Sequence, residues 1–349
     1  MTIESQACAP IRVVHFQRRP QAGQVSVERL FAEIRRQLPP DIECRLEISP
    51  ELSKGLWPRV QSTRAAGRRA ARVNHVTGDV QYLALGLPRA GTLLTVLDCV
   101  SLERLRGLRR WLFRTLWYDL PVRRAGLVSV ISESTRRELL RLVRCDAAKL
   151  RVVPCCVGSE FVRCDRPFNA AHPVILQVGT GQNKNLDRVV QALIGLPCHL
   201  KIIGTLNDDQ RALLAAARLN YSNLARATDA EVVQAYQECD LVLFPSTYEG
   251  FGLPIVEGQA TGRPVVTSRL LSMPEVAGKA ACLVDPFDVL AIRAGVRRVI
   301  GEAGYRAALV ADGFENVRRY SARTVAEQYA VLYRELAAQT SNAWSATPS

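Results

Sequence analysis

At 349 residues the chain is too long for one ordinary core and suits two α/β domains of roughly 150 residues each. Apolar residues make up 48% and charged residues 23%, a globular balance that excludes a largely disordered chain. No stretch approaches the ~20 uninterrupted apolar residues of a membrane span, and the N-terminal residues lack the basic-then-apolar pattern of a secretion signal. A cytoplasmic chain is therefore expected, free to sit peripherally on the inner face of a membrane.

The net charge of +13 is carried by the first half. Residues 1–167 hold 29 Lys and Arg against 16 Asp and Glu, and the remainder holds 17 against 17. Such a surface suits an anionic partner: lipid headgroups, a diphosphate-linked acceptor or nucleic acid. An arginine-rich compositional bias would give the same count. The chain has neither a zinc-finger nor an RNA-recognition signature, so no nucleic-acid partner is expected. The ten cysteines are scattered, with no C-x-x-C pair, and read as small buried hydrophobes rather than disulfides or a zinc site.

In chain order, IRVVHF (11–16) reads as a strand, followed by a loop ending at Gly23 and a helical pattern over 27–38. Strand, glycine-containing loop and helix open a doubly wound sheet, and Gly23 is a candidate for close backbone approach to a ligand. Further strands are expected at TLLTVL (92–97), LVSVI (127–131) and LRVV (150–153), each followed by helix or turn, so the sheet should be mostly parallel. Between them, Trp111-Leu112-Phe113 and Trp117-Tyr118 are interleaved with Arg104, Arg106, Arg109, Arg110 and Arg114. Two readings stay open: an amphipathic basic face on an anionic membrane, or aromatic core contacts beneath solvated arginines.

The polar, proline-containing run 165–173 marks a linker. A second strand–loop–helix series then starts with VILQV (174–178) and continues with HLKII (199–203), LVLF (241–244) and PVVT (264–267). The expected organisation is a first domain over 1–167 and a second over 168–319. A helix at about 320–338 should pack back on the first domain, and 339–349 should form a loose tail.

The chemistry concentrates in FPSTYEGFGLPIVEGQATGRPVVTS (244–268). A strand ends at Phe244 and a helix begins near Leu253-Pro254, where proline forfeits only a donor that would be unpaired anyway. Gly250 and Gly252 bare the backbone just before that helix, so its N–H groups and positive dipole end are suited to an anion such as a diphosphate. Glu249 and Glu257 flank the turn, eight positions apart, one on the loop and one about a turn inside the helix. Carboxylates beside a phosphate seat make sense when they accept hydrogen bonds from the hydroxyl-bearing ends of the ligand. A helix-terminal glutamate satisfying the dipole is the plainer account of Glu257 taken alone.

This string resembles the signature of glycosyltransferase family four, the retaining group 1 enzymes of GT-B fold. The resemblance covers roughly residues 125–290. It implies two Rossmann-like domains facing across a cleft, with a nucleoside-diphosphate sugar as co-substrate and no other cofactor. In the family the first glutamate contacts the transferred sugar, the second the ribose, and the intervening backbone the diphosphate or sugar. These roles fall on Glu249, Glu257 and the backbone of Gly250, Phe251, Gly252 and Leu253. The turn Gly179-Thr180-Gly181-Gln182-Asn183-Lys184 resembles the family's glycine turn leading to a basic residue, which implies donor contacts from Gly179 and Thr180 and gives Lys184 the leaving diphosphate, for which a compact ammonium is suited. Many members carry a second basic residue, at places taken here by Thr180 and Asn183, so the second phosphate clamp is unassigned. Many also carry a His-Asp pair where this chain has Leu97-Asp98. His75 is then a candidate to face the cleft, with Asp98, in place of the missing histidine.

The implied reaction is departure of the nucleoside diphosphate and front-face attack by an acceptor hydroxyl, with retention and without a metal, since no D-x-D pair is present. The acceptor would be a carbohydrate or lipid-linked chain in surface polysaccharide or glycolipid assembly. A nucleotide-sugar epimerase of GT-B fold and a catalytically weak nucleotide-sugar-binding relative are the alternatives.

Overall fold

The computed structural model describes residues 9–20, 26–53 and 55–345, and their side chains except at 26, 103, 104 and 341–345. Gly23 lies outside the described residues. The chain divides into two compact units, one of residues 1–156 with 322–349 and one of residues 157–321.

The first unit holds a six-stranded, all-parallel sheet in the order β2-β1-β3-β4-β5-β6. Its strands are β1 Ile11–Gln17, β2 Ile42–Ile48, β3 Val73–Thr77, β4 Thr92–Val96, β5 Leu127–Val130 and β6 Leu150–Val152. Parallel sheets are covered on both faces, so their central strands are buried throughout, as β3, β4 and β5 are. One face packs Val76, Leu94, Val96, Val128 and Val130 against Leu83, Leu87, Leu102 and Leu139. The other receives the helices Ser26–Arg36 and Ala322–Ser345, which bring Phe31, Ile34, Tyr329, Tyr333 and Leu336 into the core.

The second unit repeats the plan: β7 Val174–Val178, β8 His199–Ile203, β9 Asn220–Leu224, β10 Leu241–Phe244, β11 Val265–Ser268 and β12 Cys282–Val284. Their order is β12-β11-β10-β7-β8-β9, again all parallel. Ile175, Leu200, Ile202, Leu241, Leu243 and Val266 form its centre with Val189, Val190, Leu193, Ile292, Val296 and Val299.

The chain enters the second unit at Val157, ahead of the proline-containing run at 165–173. Backbone bonds explain the difference: Val157 N–H donates to Tyr320 O at 2.9 Å, and Cys164 N–H to Thr261 O at 3.4 Å, tying 157–164 to the second unit. The terminal helix also continues to Ser345, past position 339, where a loose tail was expected. Propagating a helix already anchored through Leu336 and Ala337 costs little per residue. The nine described cysteines are free, six buried and three partly buried. Among the described residues no helix is long and apolar enough to cross a membrane.

Candidate active site

In the second sheet β7 and β10 are neighbours, and sequence order runs outward from them in opposite directions. At such a switch point the connections leave to opposite faces and open a crevice beyond the C-terminal strand ends. The loops that follow these two strands are 179–185 and 245–252, the two segments singled out from the sequence.

The structure brings their charged residues together. Lys184 Nζ lies 2.6 Å from Glu249 Oε1, with side-chain exposures of 22% and 14%, and also 4.7 Å from the centroid of the Phe244 ring. Asn183 Nδ2 donates to the same Oε1 at 3.2 Å and to Tyr248 O at 3.0 Å. Thr247 N–H donates back to Asn183 O at 2.8 Å. Asn185 adopts the left-handed conformation, φ 61°, which asparagine tolerates best among residues with a side chain. Its buried amide donates to Pro245 O at 3.0 Å and to Pro286 O at 2.6 Å, stitching three loops to one point. The sequence named Asn183 only as a place where a base is missing; its role in holding Glu249 was not anticipated.

Two glycines are required by geometry. Gly179 has φ 88°, and a Cβ there would stand 3.0 Å from both Cγ and Cε of Lys184. Gly252 has φ 102° and caps the helix Leu253–Ala260. Phe251 is buried and meets Tyr320 edge-on at 5.5 Å, so only its backbone can serve a ligand. Ser272 Oγ donates to Glu249 O and Phe251 O at 2.9 and 3.0 Å and holds the loop's shape. Thr180 Oγ1 donates to Thr205 O at 2.7 Å, a structural engagement that leaves the second phosphate cation unsupplied at this position.

Glu257, on the second turn of the helix, is partly buried and accepts a hydrogen bond from the Tyr236 hydroxyl. Burial pushes its carboxyl up to about 7. The Tyr236 bond and the positive field of Lys184 oppose that rise, and the nearby Glu160 adds to it. Lys184 therefore pairs with Glu249 directly and acts on Glu257 through space, so the two glutamates share one cation.

The remaining candidates lie in the first unit. His75 does not line a site. It is fully buried on β3, with Nδ1 2.8 Å from the Tyr333 hydroxyl and Nε2 2.7 Å from Thr95 Oγ1. Desolvation lowers its pKa to about 3, as expected of a neutral core histidine. Asp98, just past β4, is half-buried and accepts from Val100 N–H at 3.0 Å, capping the following turn. At this sheet's own switch point, between β1 and β3, Arg18 bridges Glu28 and Asp79, each at 2.7 Å, an arrangement the sequence reading missed.

Two doubly wound parallel sheets in tandem, one carrying a Lys–Glu pair at its switch point, define the GT-B class of α/β proteins. Solved structures share the fold over nearly the whole chain. The sucrose-phosphate synthase of Thermosynechococcus elongatus superposes with a TM-score of 0.73 at 18% identity, covering 94% of this chain and 99% of that one. HepE of Anabaena, solved with UDP and glucose, gives 0.72 at 15%, covering 93% and 99%. In sequence, residues 172–302 match the family Glycosyl transferases group 1. An Escherichia coli protein, O-antigen chain mannosyltransferase B, is 28% identical over 237 residues, 61% of each chain, so the match spans less than two thirds of that relative. In sequence the second unit thus resembles the group 1 glycosyltransferases, and the two sheets share the GT-B fold.

Proposed function

We propose that this protein transfers a sugar from a nucleoside-diphosphate sugar to an acceptor hydroxyl with retention of anomeric configuration, using its second unit as the donor site. The observation that carries the reading is the Lys184–Glu249 pair, 2.6 Å apart where the loops after β7 and β10 converge. Of the three N–H donors of the ammonium, one is taken by Glu249 among the described residues. Two remain for phosphate oxygens. The start of the helix Leu253–Ala260 adds backbone N–H groups for the same anion.

In this reading the C–O bond between the anomeric carbon and the diphosphate breaks, and the nucleoside diphosphate leaves with the bonding pair. Lys184 and the helix N-terminus stabilise the charge that develops on it, the largest electrostatic contribution these residues can make. The acceptor oxygen bonds to the anomeric carbon from the face being vacated, and its proton passes to the departing phosphate oxygen. Glu249 orients the sugar hydroxyls and Glu257 the ribose. No step needs a metal. The named activity of the E. coli relative supports an acceptor in surface polysaccharide assembly and a hexosyl donor.

The first unit supports a peripheral membrane location. Its helical run through Gly107–Arg114, a wider π turn at Thr115–Asp119 and Leu120–Arg124 divides cleanly by face. Phe113, Trp117 and Tyr118 pack inward, with Phe113 stacked on Trp117 at 5.1 Å and Trp117 beside Tyr82 at 5.3 Å. Leu108, Trp111, Leu112 and Leu116 point outward with exposures of 71, 54, 44 and 43%. Exposed arginines at 106, 109, 110, 123 and 124 flank them, and residues 105–118 contain no carboxylate. An apolar face flanked mainly by cations fits an anionic bilayer.

The donor assignment is tested by titrating the purified protein with UDP-, GDP-, ADP- and dTDP-hexoses and following turnover with and without an oligosaccharide acceptor. Binding with acceptor-dependent release of nucleoside diphosphate is expected. A product isomerised without acceptor would replace transfer by epimerisation, and no binding to any donor would end the reading.

A further inference from the structure

Tyr236 lies on the helix Asp229–Glu238, whose start is fixed by a capping box between Thr228 and Glu231. The side chain is fully buried, and Phe161 meets its ring edge-on at 5.3 Å and 88°. The ring is therefore held on its sides by packing, and its hydroxyl points at one acceptor, Glu257 Oε2. Among the described residues the Glu257 carboxylate has no other hydrogen-bond partner, so Oε1 is left with its full accepting capacity. A carboxylate free at both oxygens would rotate about its last torsion, which is broad and roughly two-fold. One anchored at Oε2 presents Oε1 in a single direction.

We infer that Tyr236 is a positioning residue for nucleotide recognition: its hydroxyl fixes Oε2 of Glu257 so that Oε1 faces the ribose diol of the donor. The inference rests on the donor site proposed above and adds a residue that never touches the ligand. The proton stays on the phenol, because burial and the adjacent carboxylate drive the Tyr236 pKa well above its usual value. The bond is thus O–H to carboxylate, the charge-assisted kind that is both shorter and stronger than a neutral one. The groups acting on Glu257 are Tyr236 on the helix Asp229–Glu238, Glu160 on the segment entering the unit and Lys184 on the loop after β7. Tyr236 and Lys184 favour the carboxylate; Glu160 and burial oppose it.

A purely structural role, in which Glu257 merely satisfies a buried phenol, makes different predictions. Tyr236→Phe keeps the ring and its packing and deletes only the hydroxyl. The measurement is the affinity of wild type and Tyr236→Phe for a ribonucleoside diphosphate and for its 2′,3′-dideoxy counterpart, from pH 6 to 9. Wild type should prefer the ribonucleotide by about tenfold or more, the scale set by hydrogen bonds to a charged acceptor. In Tyr236→Phe the ribonucleotide should weaken about tenfold while the dideoxynucleotide is unchanged, so the preference collapses. The midpoint of the pH dependence of ribonucleotide binding should also move to higher pH, because the hydroxyl that stabilises the carboxylate is gone. Equal weakening of both ligands with an unshifted midpoint, or no change in either, would overturn the inference while leaving the donor site standing. A wild type that binds neither nucleotide, or both alike, would remove the ribose role of Glu257 and the inference with it.

Discussion

His75 Nδ1 lies 2.8 Å from the Tyr333 hydroxyl, joining residues 258 positions apart in the chain. The same hydroxyl meets His15 Nε2 at 2.8 Å, and His75 continues to Thr95 and then Ser129, so one buried polar chain fastens the last helix to four strands of the first sheet.

That network makes the first unit acid-sensitive. Both histidines are held neutral, with His75 lowered to about 3 and His15 well below its ordinary value. Unfolded, each protonates near pH 6.5, so the unfolded state binds more protons below that pH and stability falls as pH drops from about 6.5 towards 3. The contribution is fully present above the unfolded pKa. Urea unfolding followed by tyrosine fluorescence at pH 7.5 and 5.0 should show this loss. His75→Asn should be less stable at both, by roughly 1–3 kcal/mol for the hydroxyls left unpaired, and should show a shallower pH dependence. An unchanged pH slope in that variant would clear His75 of the effect.

At the proposed donor site, Lys184→Ala and Glu249→Ala should each lower kcat/KM by about 100-fold or more, the scale of losing one preorganised charge at a reacting centre. The pair is partly buried, so each single change leaves its partner's charge uncompensated and should also lower the melting temperature. The double variant should be no less stable than the worse single one while staying inactive. Near wild-type turnover in either single variant is incompatible with the proposed roles.

Gly179→Ala tests the turn that carries Lys184. At φ 88° an added Cβ is strained by about 1–2 kcal/mol, and it would crowd the lysine stem at 3.0 Å. Thermal denaturation should register the strain. Steady-state kinetics should show a loss well beyond that expected from stability alone, because the ammonium is displaced. The control is Gly195→Ala, also at positive φ, 74°, but with nothing within 4 Å of the added carbon: strain without loss of activity is expected there.

For the proposed membrane face, co-sedimentation with phosphatidylglycerol-containing vesicles should retain the wild-type protein at low salt and release it progressively as salt rises. Replacing Trp111 and Leu112 together by Ser removes exposed apolar area without touching the packed Phe113–Trp117 stack, so stability should hold while vesicle binding weakens several-fold. Equal retention on neutral phosphatidylcholine vesicles would remove charge from the explanation. No retention on either would remove the membrane.

Much of the fold and of the candidate site is legible in the sequence. Central strands such as β4, β7 and β10 are largely apolar runs because they are mostly buried on both faces, and such runs stand out. Two of the edge strands do not: β2 is IECRLEI and β9 is NYSNL, half-exposed and polar, paired on one side only. The glycine turn at 179–184 and the run from Glu249 to Glu257 could be read because bare backbone beside charged side chains at fixed spacing is the pattern a phosphate seat would need. Their convergence could not, because it depends on β7 and β10 being neighbours. His75 misled for a similar reason: a lone histidine carries no mark of whether its strand is central. Tyr236 offered no signal at all, since its meaning lies in the carboxylate it faces across the fold.

The first unit is completed by residues 322–349, which follow the whole of the second. During synthesis the ribosome therefore delivers the second unit in full before the first can cover its open sheet face with Tyr329, Tyr333 and Leu336. Until then His15 and His75 lack their shared phenol and the strand surface stays wet. Released chains ending at Ser321 should accordingly carry a protease-resistant second unit joined to a cleavable first one, the reverse of the usual order in which the segment made first matures first.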